Sequence, residues 1–467
     1  MRVSRFVVAA TGAALLAAVP GATARGSVSA PSSISPTAVL IHPDVVYAGS
    51  VSTGPPTTAQ CEAAFDVACY QPAQIQEAYD LPALFSDGVT GKGETIVIVD
   101  SFGSPTIGHD LKVFDRTFGL PAPPSFAVIQ PAGPVPPYRP DSARVGWAGE
   151  TTLDVEYAHT MAPGANILLV ETPTSENEGT TGFPQIVTAE EYVIDHGLGD
   201  VISQSFSATE QTFPSTQSLL ALRSAYIDAA KHDVTVLAAS GDSGAADVGA
   251  GGRYYPFAVT SWPDSDPLVT GVGGTQLQLD AAGHHTAPDS VWNDTFSVPT
   301  NKFIFGDAGP NPLAGGGGLS IIFPRPSFQD GVKAVVGHQR GVPDISMSAA
   351  CNGGVDAYQS FQGQAAGWYP VCGTSEATPL FAGVVALADQ VAGHPLGVIN
   401  PALYSLSASG APGIVDVTSG DNSVSFTQAH TLQTVTGFSA RPGYDLASGV
   451  GTVDAKSFVP ELAQTAR

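Results

Sequence analysis

Four short, almost continuously apolar runs constrain the fold of this chain. Glu94 to Ser101 (ETIVIVDS), Asn166 to Glu171 (NILLVE), Asp200 to Ser205 (DVISQS) and Val234 to Ala239 (VTVLAA) read as strands. A strand with one wet face alternates apolar and polar residues. These runs do not, so both of their faces must be covered. Helical spacing fills the intervals, at Ile75 to Leu84, Thr188 to His196 and Ser218 to His232. Strands alternating with helices predict an α/β fold, a parallel sheet flanked by helices on both faces. Ligands in such sheets bind at the carboxyl ends of the strands. Three loops lie there: the one from Asp100, Ser205-Phe206-Ser207, and Ser240-Gly241-Asp242-Ser243-Gly244. From Gly249 to Gly318 the chain turns often, and the Gly315–Gly318 run lets backbone come close to a ligand or another loop.

The chain starts with Arg2 and Arg5, an apolar stretch from Phe6 to Val19, and the small-x-small triplet Ala22-Thr23-Ala24. This order predicts a cleaved secretory signal over residues 1–24, and so an extracellular product with no membrane segment once mature. Residues 25–69 read as a short N-terminal extension, and 70–467 as one large domain, expected to act as a monomer. The formal charge of −24, from 18 basic and 42 acidic residues, disfavours nucleic acid and anionic membranes as partners. In acid the carboxylates lose charge while few cations remain to repel one another, which suits a protein working at low pH. Of the three pairings open to the four cysteines, the local one, Cys61–Cys69 with Cys351–Cys372, closes short loops.

Gly373-Thr374-Ser375 opens a long apolar helix covering Leu380 to Val391. A serine there is surrounded by unpaired N–H groups at the positive end of the helix dipole, where a tetrahedral oxyanion would be stabilised. Capping by Thr374 or Ser375 is the plain alternative. Glu150 and Asp154, four apart in Gly149-Glu150-Thr151-Thr152-Leu153-Asp154, share one face of a helix, so one carboxyl of the pair should hold its proton. Asp242 ends an apolar strand in a Gly-Asp-Ser-Gly turn. It is either a turn aspartate or, when protonated, a hydrogen-bond donor to an oxyanion. His159, His232, His284, His285 and His338 sit in no base motif. A serine nucleophile here therefore needs another base, and a carboxylate can serve, since it works where imidazole is already protonated.

Further motifs accompany these: Ala162-Pro163-Gly164-Ala165, Val272-Gly273-Gly274-Thr275, Arg340-Gly341-Val342-Pro343-Asp344-Ile345-Ser346 and Ile399-Asn400-Pro401-Ala402-Leu403-Tyr404. In this order the set resembles the sedolisins, the serine-carboxyl peptidase family, over nearly everything from Tyr70 onward. The resemblance implies a subtilisin-like fold with a C-terminal calcium loop. It implies Ser375 as nucleophile, Glu150 as general base, Asp154 as its orienting partner, and Asp242 with the Ser375 N–H as oxyanion hole. The substrates would be peptides or proteins, cleaved at acidic pH. One structural Ca2+ would be held by Asp416, Val417, Arg441, Gly443 and Asp445, a hard oxygen set.

Three departures stand out. The segment before Gln71 is too short for the family's large prodomain. Asp100 and Phe206 stand where the supporting network carries glutamate and tryptophan. Gln204 and Ser207 flank the expected substrate strand without indicating a preference. Two rivals remain: a true subtilisin, disfavoured because its His-Gly-Thr-His segment is absent, and a secreted, catalytically weak or inactive binding protein on the same scaffold.

Overall fold

The computed structural model describes Asp44–Val45, residues 54–249 and residues 251–466. The expected signal (1–24) and most of the extension lie outside the described residues. The central sheet is built from β1 (Thr95–Ser101), β2 (Phe126–Ile129), β3 (Asn166–Thr172), β4 (Val201–Gln204), β5 (Thr235–Ala239), β6 (Thr270–Gln276), β7 (Ser290–Val291) and β8 (Ile345–Ser348). Its order is β7-β6-β5-β4-β1-β3-β2, with β8 also paired to β6. Every pairing is parallel except the antiparallel edge β6–β7.

The unbroken apolar runs have the cause inferred from their sequence. Ile96, Ile98, Ile167 and Leu169 face one buried layer, while Val97, Val99, Leu168 and Val170 face another. The first layer is closed by two long helices, α2 (Ser142–Met161) and α5 (Thr374–Ala392). The second is closed by α3 (Phe183–Asp195) and α4 (Ser224–Lys231). α1 (Ile107–Phe118) packs beside α2 on the first side, through Phe114 against Tyr157. Helices α2 and α5 approach closely where Gly383 meets Met161, a contact that a side chain at 383 would block.

Two expected helices are interrupted. Ile75 to Leu84 divides into Pro72–Ala78 and Leu81–Ser86, because Asp80 adopts a left-handed conformation ahead of Pro82. Ser218 to His232 divides into Thr216–Leu220 and α4, with Arg223 in the break bonded to Asp266. Beside the main sheet, Gly354–Gln359 and Gly367–Cys372 pair antiparallel, and Asp44–Val45 and Cys69–Tyr70 add to their edges. This small sheet delivers the chain to Gly373. Both expected disulfides are formed, Cys61–Cys69 and Cys351–Cys372, and the second lies immediately before the Gly373 turn. The buried Arg340 pairs with Asp344, Nη1 to Oδ1 2.7 Å, and Asp344 Oδ2 accepts the Gly271 N–H, which fixes the strand end before β8 against β6.

Candidate active site

Glu150 and Asp154 lie in the middle of α2, one turn apart, and both are buried. Ser375 is in the first turn of α5 and is also buried. Gly373 caps the start of α5; its φ of +127° suits glycine, and a Cβ there would lie 2.5 Å from Asp242 Oδ2. The glycine therefore gives Asp242 its place over the helix start. All four residues singled out in the sequence meet at this point.

Neither Glu150 oxygen has a hydrogen-bond partner in the structure, and the Ser375 hydroxyl is the one group that counters the upward shift of its carboxyl. Burial raises the Glu150 carboxyl well above the usual range, and the charges of Asp100 and Asp242 add to that. Asp154 is raised for the same first reason, burial, and then by Asp100 and Glu150. Its Oδ1 accepts from Ser205 Oγ at 2.8 Å, and that hydroxyl is also 3.3 Å from the Ser375 carbonyl oxygen. Asp242 Oδ1 accepts both the N–H and the hydroxyl of Thr374, at 2.6 and 2.7 Å. Burial outweighs these bonds and pushes the Asp242 carboxyl up to about 6. Asp100, at the end of β1, is buried and pushed up to about 7.

Sequence reasoning passed over two of these contributors. Ser205 lay in a loop already placed at the site, but no motif distinguishes a bridging serine from a turn serine. Thr374 entered only as an alternative cap beside Ser375, whereas its hydroxyl serves Asp242. The Gln204 side chain is buried against Glu190 and Tyr226, in the layer closed by α3 and α4. Phe206 packs edge-on against Trp147 and Phe183, and the Trp147 indole N–H goes to Ser175 Oγ at 3.1 Å. His159 is a packing residue, with Nε2 2.7 Å from the Pro121 carbonyl, and the other four histidines considered in the sequence are exposed.

The arrangement is a hydroxyl at a helix N-terminus, faced by a buried carboxyl pair on one side and a protonatable aspartate on the other. The model of the subtilase family (peptidase S8) matches residues 145–404, more than half of the chain, and the site spans that segment. The chain belongs to the subtilase family and, within it, to the sedolisins. It is 32% identical over 399 residues to kumamolisin of Bacillus sp. (strain MN-32), covering 82% of this chain and 62% of that protein. It is 29% identical over 408 residues to sedolisin of Pseudomonas sp. (strain 101), covering 86% of this chain and 63% of that one. A solved Pseudomonas sedolisin, a serine-carboxyl proteinase complexed with pseudo-iodotyrostatin, superposes with a TM-score of 0.69 at 25% identity. That match covers 86% of this chain and all of the solved one. The chain spans less than two thirds of the length of kumamolisin or sedolisin.

The calcium positions were tested by their donors. Among the described residues no group of three or more His, Cys, Asp or Glu gathers as a metal site, but the expected set needs only two carboxylates. Both reach the same loop. Asp416 Oδ2 accepts the Gly443 N–H at 2.9 Å, and Asp445 Oδ2 accepts the Arg441 N–H at 2.9 Å. Two carboxylates beside the carbonyls of Val417, Arg441 and Gly443 are chemically suited to a hard cation. The Arg441 side chain is on the exposed surface. Among the described residues no helix is long and apolar enough to cross a membrane.

Proposed function

We propose that this sedolisin is a secreted, acid-active serine-carboxyl peptidase that hydrolyses peptide bonds through an acyl-enzyme on Ser375. The observation that carries the proposal is the buried convergence of Ser375, in the first turn of α5, with the Glu150–Asp154 face of α2, bridged by Ser205, and with Asp242 over Gly373. Glu150 takes the Ser375 proton as the hydroxyl attacks the substrate carbonyl, then returns it to the leaving amine. Asp154, held by Ser205, keeps Glu150 oriented. The oxyanion is received by the Ser375 N–H, which has no carbonyl partner in the first helical turn, and by protonated Asp242. A water activated by Glu150 then releases the acyl group.

Acid suits this assignment for a specific reason. A base must be able to ionise, and burial opposes that at Glu150. Below about pH 6 Asp242 keeps its proton, and below about 7 so does Asp100. Their charges then no longer oppose the ionisation of Glu150, while the Ser375 hydroxyl favours it. Peptides or proteins are the substrates in this reading. Bound at Asp416, Val417, Arg441, Gly443 and Asp445, Ca2+ would tie two C-terminal loops together and take no part in the reaction. The two disulfides fit an extracellular destination.

The test is hydrolysis of an acid-denatured protein by wild type, Ser375→Ala and Glu150→Gln, with circular dichroism to confirm folding. Both variants should be folded and inert. Equal turnover by Ser375→Ala would remove the serine from the mechanism, and a folded but inert wild type would point to a binding protein on the same scaffold.

A further inference from the structure

The helix that carries the carboxyl pair is tied directly to the hairpin that delivers the serine. Gly354–Gln359 and Gly367–Cys372 form that hairpin, and its second strand runs straight into Gly373-Thr374-Ser375. On its other side Gly354–Gln359 meets Cys69–Tyr70, which pairs parallel with Gly354 and Val355. Among the described residues no strand continues that edge beyond Val355, yet Asp356, Ala357, Tyr358 and Gln359 are all buried. Buried N–H and C=O groups need partners. Pro370 lies opposite Asp356 and has no N–H to give, so the backbone groups of Asp356 and Tyr358 face away from the hairpin partner.

Two consecutive side chains of α2 stand where the next strand would be. The Tyr157 hydroxyl donates to the Asp356 carbonyl at 2.9 Å, and Glu156 Oε2 accepts the Tyr358 N–H at 3.0 Å. A carbonyl and the N–H two residues later are the pair of groups that one residue of a parallel neighbour engages. Glu156 and Tyr157 therefore continue the pairing that Cys69–Tyr70 begins. Both are fully buried. Asp110 of α1 closes the next position, its Oδ2 accepting the Ser360 N–H at 3.1 Å. Glu156 follows Asp154 by two residues and Glu150 by six, which is about 9 Å along the helix. The tie thus sets where the Glu150–Asp154 face of α2 stands relative to the strand that leads to Ser375.

We infer that Glu156 is a positioning residue for the reaction: with Tyr157 it locks α2 to the hairpin and so holds the Glu150 carboxyl in register with Ser375. It acts through Glu150, and its own charge is not what is used. Burial raises the Glu156 carboxyl well above the usual range, the Tyr358 N–H opposes this, and Asp110 and Asp115 of α1 add to it. Glu156 Oε1 has no partner and can carry the proton, which leaves Oε2 an acceptor in either state. At the other end of the tie, the Ser375 hydroxyl counters an upward shift of Glu150 that comes from burial and then from Asp100 and Asp242. A looser α2 weakens that counterweight, so Glu150 then ionises at higher pH.

The inference rests on the peptidase reading, and its test tells the two failures apart. Steady-state kinetics with one peptide substrate are followed against pH for wild type, Glu156→Ala, Glu156→Gln, Tyr157→Phe and Asp110→Ala, with a Tm for each. Glu156→Ala should lower kcat by about tenfold or more with KM little changed, the scale of loss when reacting groups are misplaced. The acid limb of its kcat profile should move upward. Glu156→Gln keeps an acceptor for the Tyr358 N–H and should recover most of the loss. Tyr157→Phe removes the second bond and keeps the ring. It should shift kcat and the limb in the same direction, which decides the matter if Glu156→Ala does not fold. Asp110→Ala is the control, because it frees Ser360 on the same edge but ties that residue to α1 and not to α2. It should lower Tm and leave the limb in place. If folded Glu156→Ala and Tyr157→Phe match Asp110→Ala in kcat and limb, the tie is a fold contact only, and the inference is overturned with the peptidase reading intact. A wild type that turns over no peptide sinks that reading, and the positioning role with it.

Discussion

Thr374 gives both its N–H and its hydroxyl to one oxygen of Asp242, at 2.6 and 2.7 Å. The other oxygen, Oδ2, lies over Gly373, on the side of the helix start. Oδ1 is thus held as an acceptor, and the proton that an oxyanion donor needs belongs on Oδ2. Because the Asp242 carboxyl is pushed up to about 6, that proton is present below pH 6 and lost as pH rises through it. Asp242→Ala should lower kcat by about 10²- to 10³-fold, the usual cost of an oxyanion donor. Asp242→Asn keeps an acceptor for Thr374 and a donor that does not titrate. It should lose less activity than the alanine variant, and its high-pH limb should move upward. A pH–rate profile for the three proteins checks this, and an unmoved limb in Asp242→Asn would assign it to another group.

Ser205 gives a second, independent handle. Its hydroxyl spans Asp154 Oδ1 and the Ser375 carbonyl, and with one proton to share, the 2.8 Å contact to Asp154 is the stronger. Ser205→Ala leaves a fully buried carboxyl oxygen without a partner, at a cost of about 1–3 kcal/mol. It also removes the bond that opposes the upward shift of Asp154. The expected result is a kcat lowered by about tenfold with KM little changed, because the loss falls on orientation of the base and not on substrate contacts. Steady-state kinetics with a peptide substrate measure it, and a change confined to KM would contradict it.

Stability should follow pH in the direction opposite to that of most proteins. Burial pushes Asp115 up to about 7, Glu190 to about 8 and Asp389 to about 9, and raises Glu156, Asp356 and Glu376 as well. The folded state therefore holds these protons more tightly than the unfolded chain, whose carboxyls titrate near 4. The stabilising contribution is complete below about pH 4 and is lost as pH rises through 7 to 9. Calorimetry should show a higher Tm at pH 4 than at neutral pH. A Tm that rises from acid to neutral would mean that these carboxyls are ionised in the fold.

Legibility in the sequence followed the range of the interactions involved. Four adjacent strands of the central sheet, β5-β4-β1-β3, were readable because a doubly buried parallel strand must be apolar throughout, and Thr95–Ser101 and Asn166–Thr172 match their runs within a residue, whereas β2, β7 and β8 were not among the runs. The helix breaks at Asp80 and Arg223 were not readable, since each depends on a backbone conformation or a partner distant in sequence, such as Asp266. Glu150 with Asp154 could be paired from spacing, because both sit on one helix. Ser205 could not, since its value comes from a residue 51 positions away. The small sheet before Gly373 escaped for the same reason: its strands are short, and their partners include Asp44–Val45 and Cys69–Tyr70.

The calcium reading can be tested by separating two aspartates whose hydrogen bonding differs. Asp445 is buried, and its carboxylate accepts from Arg441 N, Ala447 N, Ser448 N and Ser448 Oγ. It holds its loop in shape whether or not a cation is bound, so Asp445→Ala should destabilise in chelator and in calcium alike. Asp416 is exposed and accepts one N–H, that of Gly443. Its removal should cost little in chelator and should abolish the stabilisation that calcium confers. A ligand bound only by the folded state raises stability by about 2.7 kcal/mol at a hundred times its Kd. Wild type should therefore gain several degrees in Tm between chelator and excess calcium, and Asp416→Ala should gain none. Identical calcium shifts in both proteins would move the cation away from the two loops that carry Asp416 and Asp445.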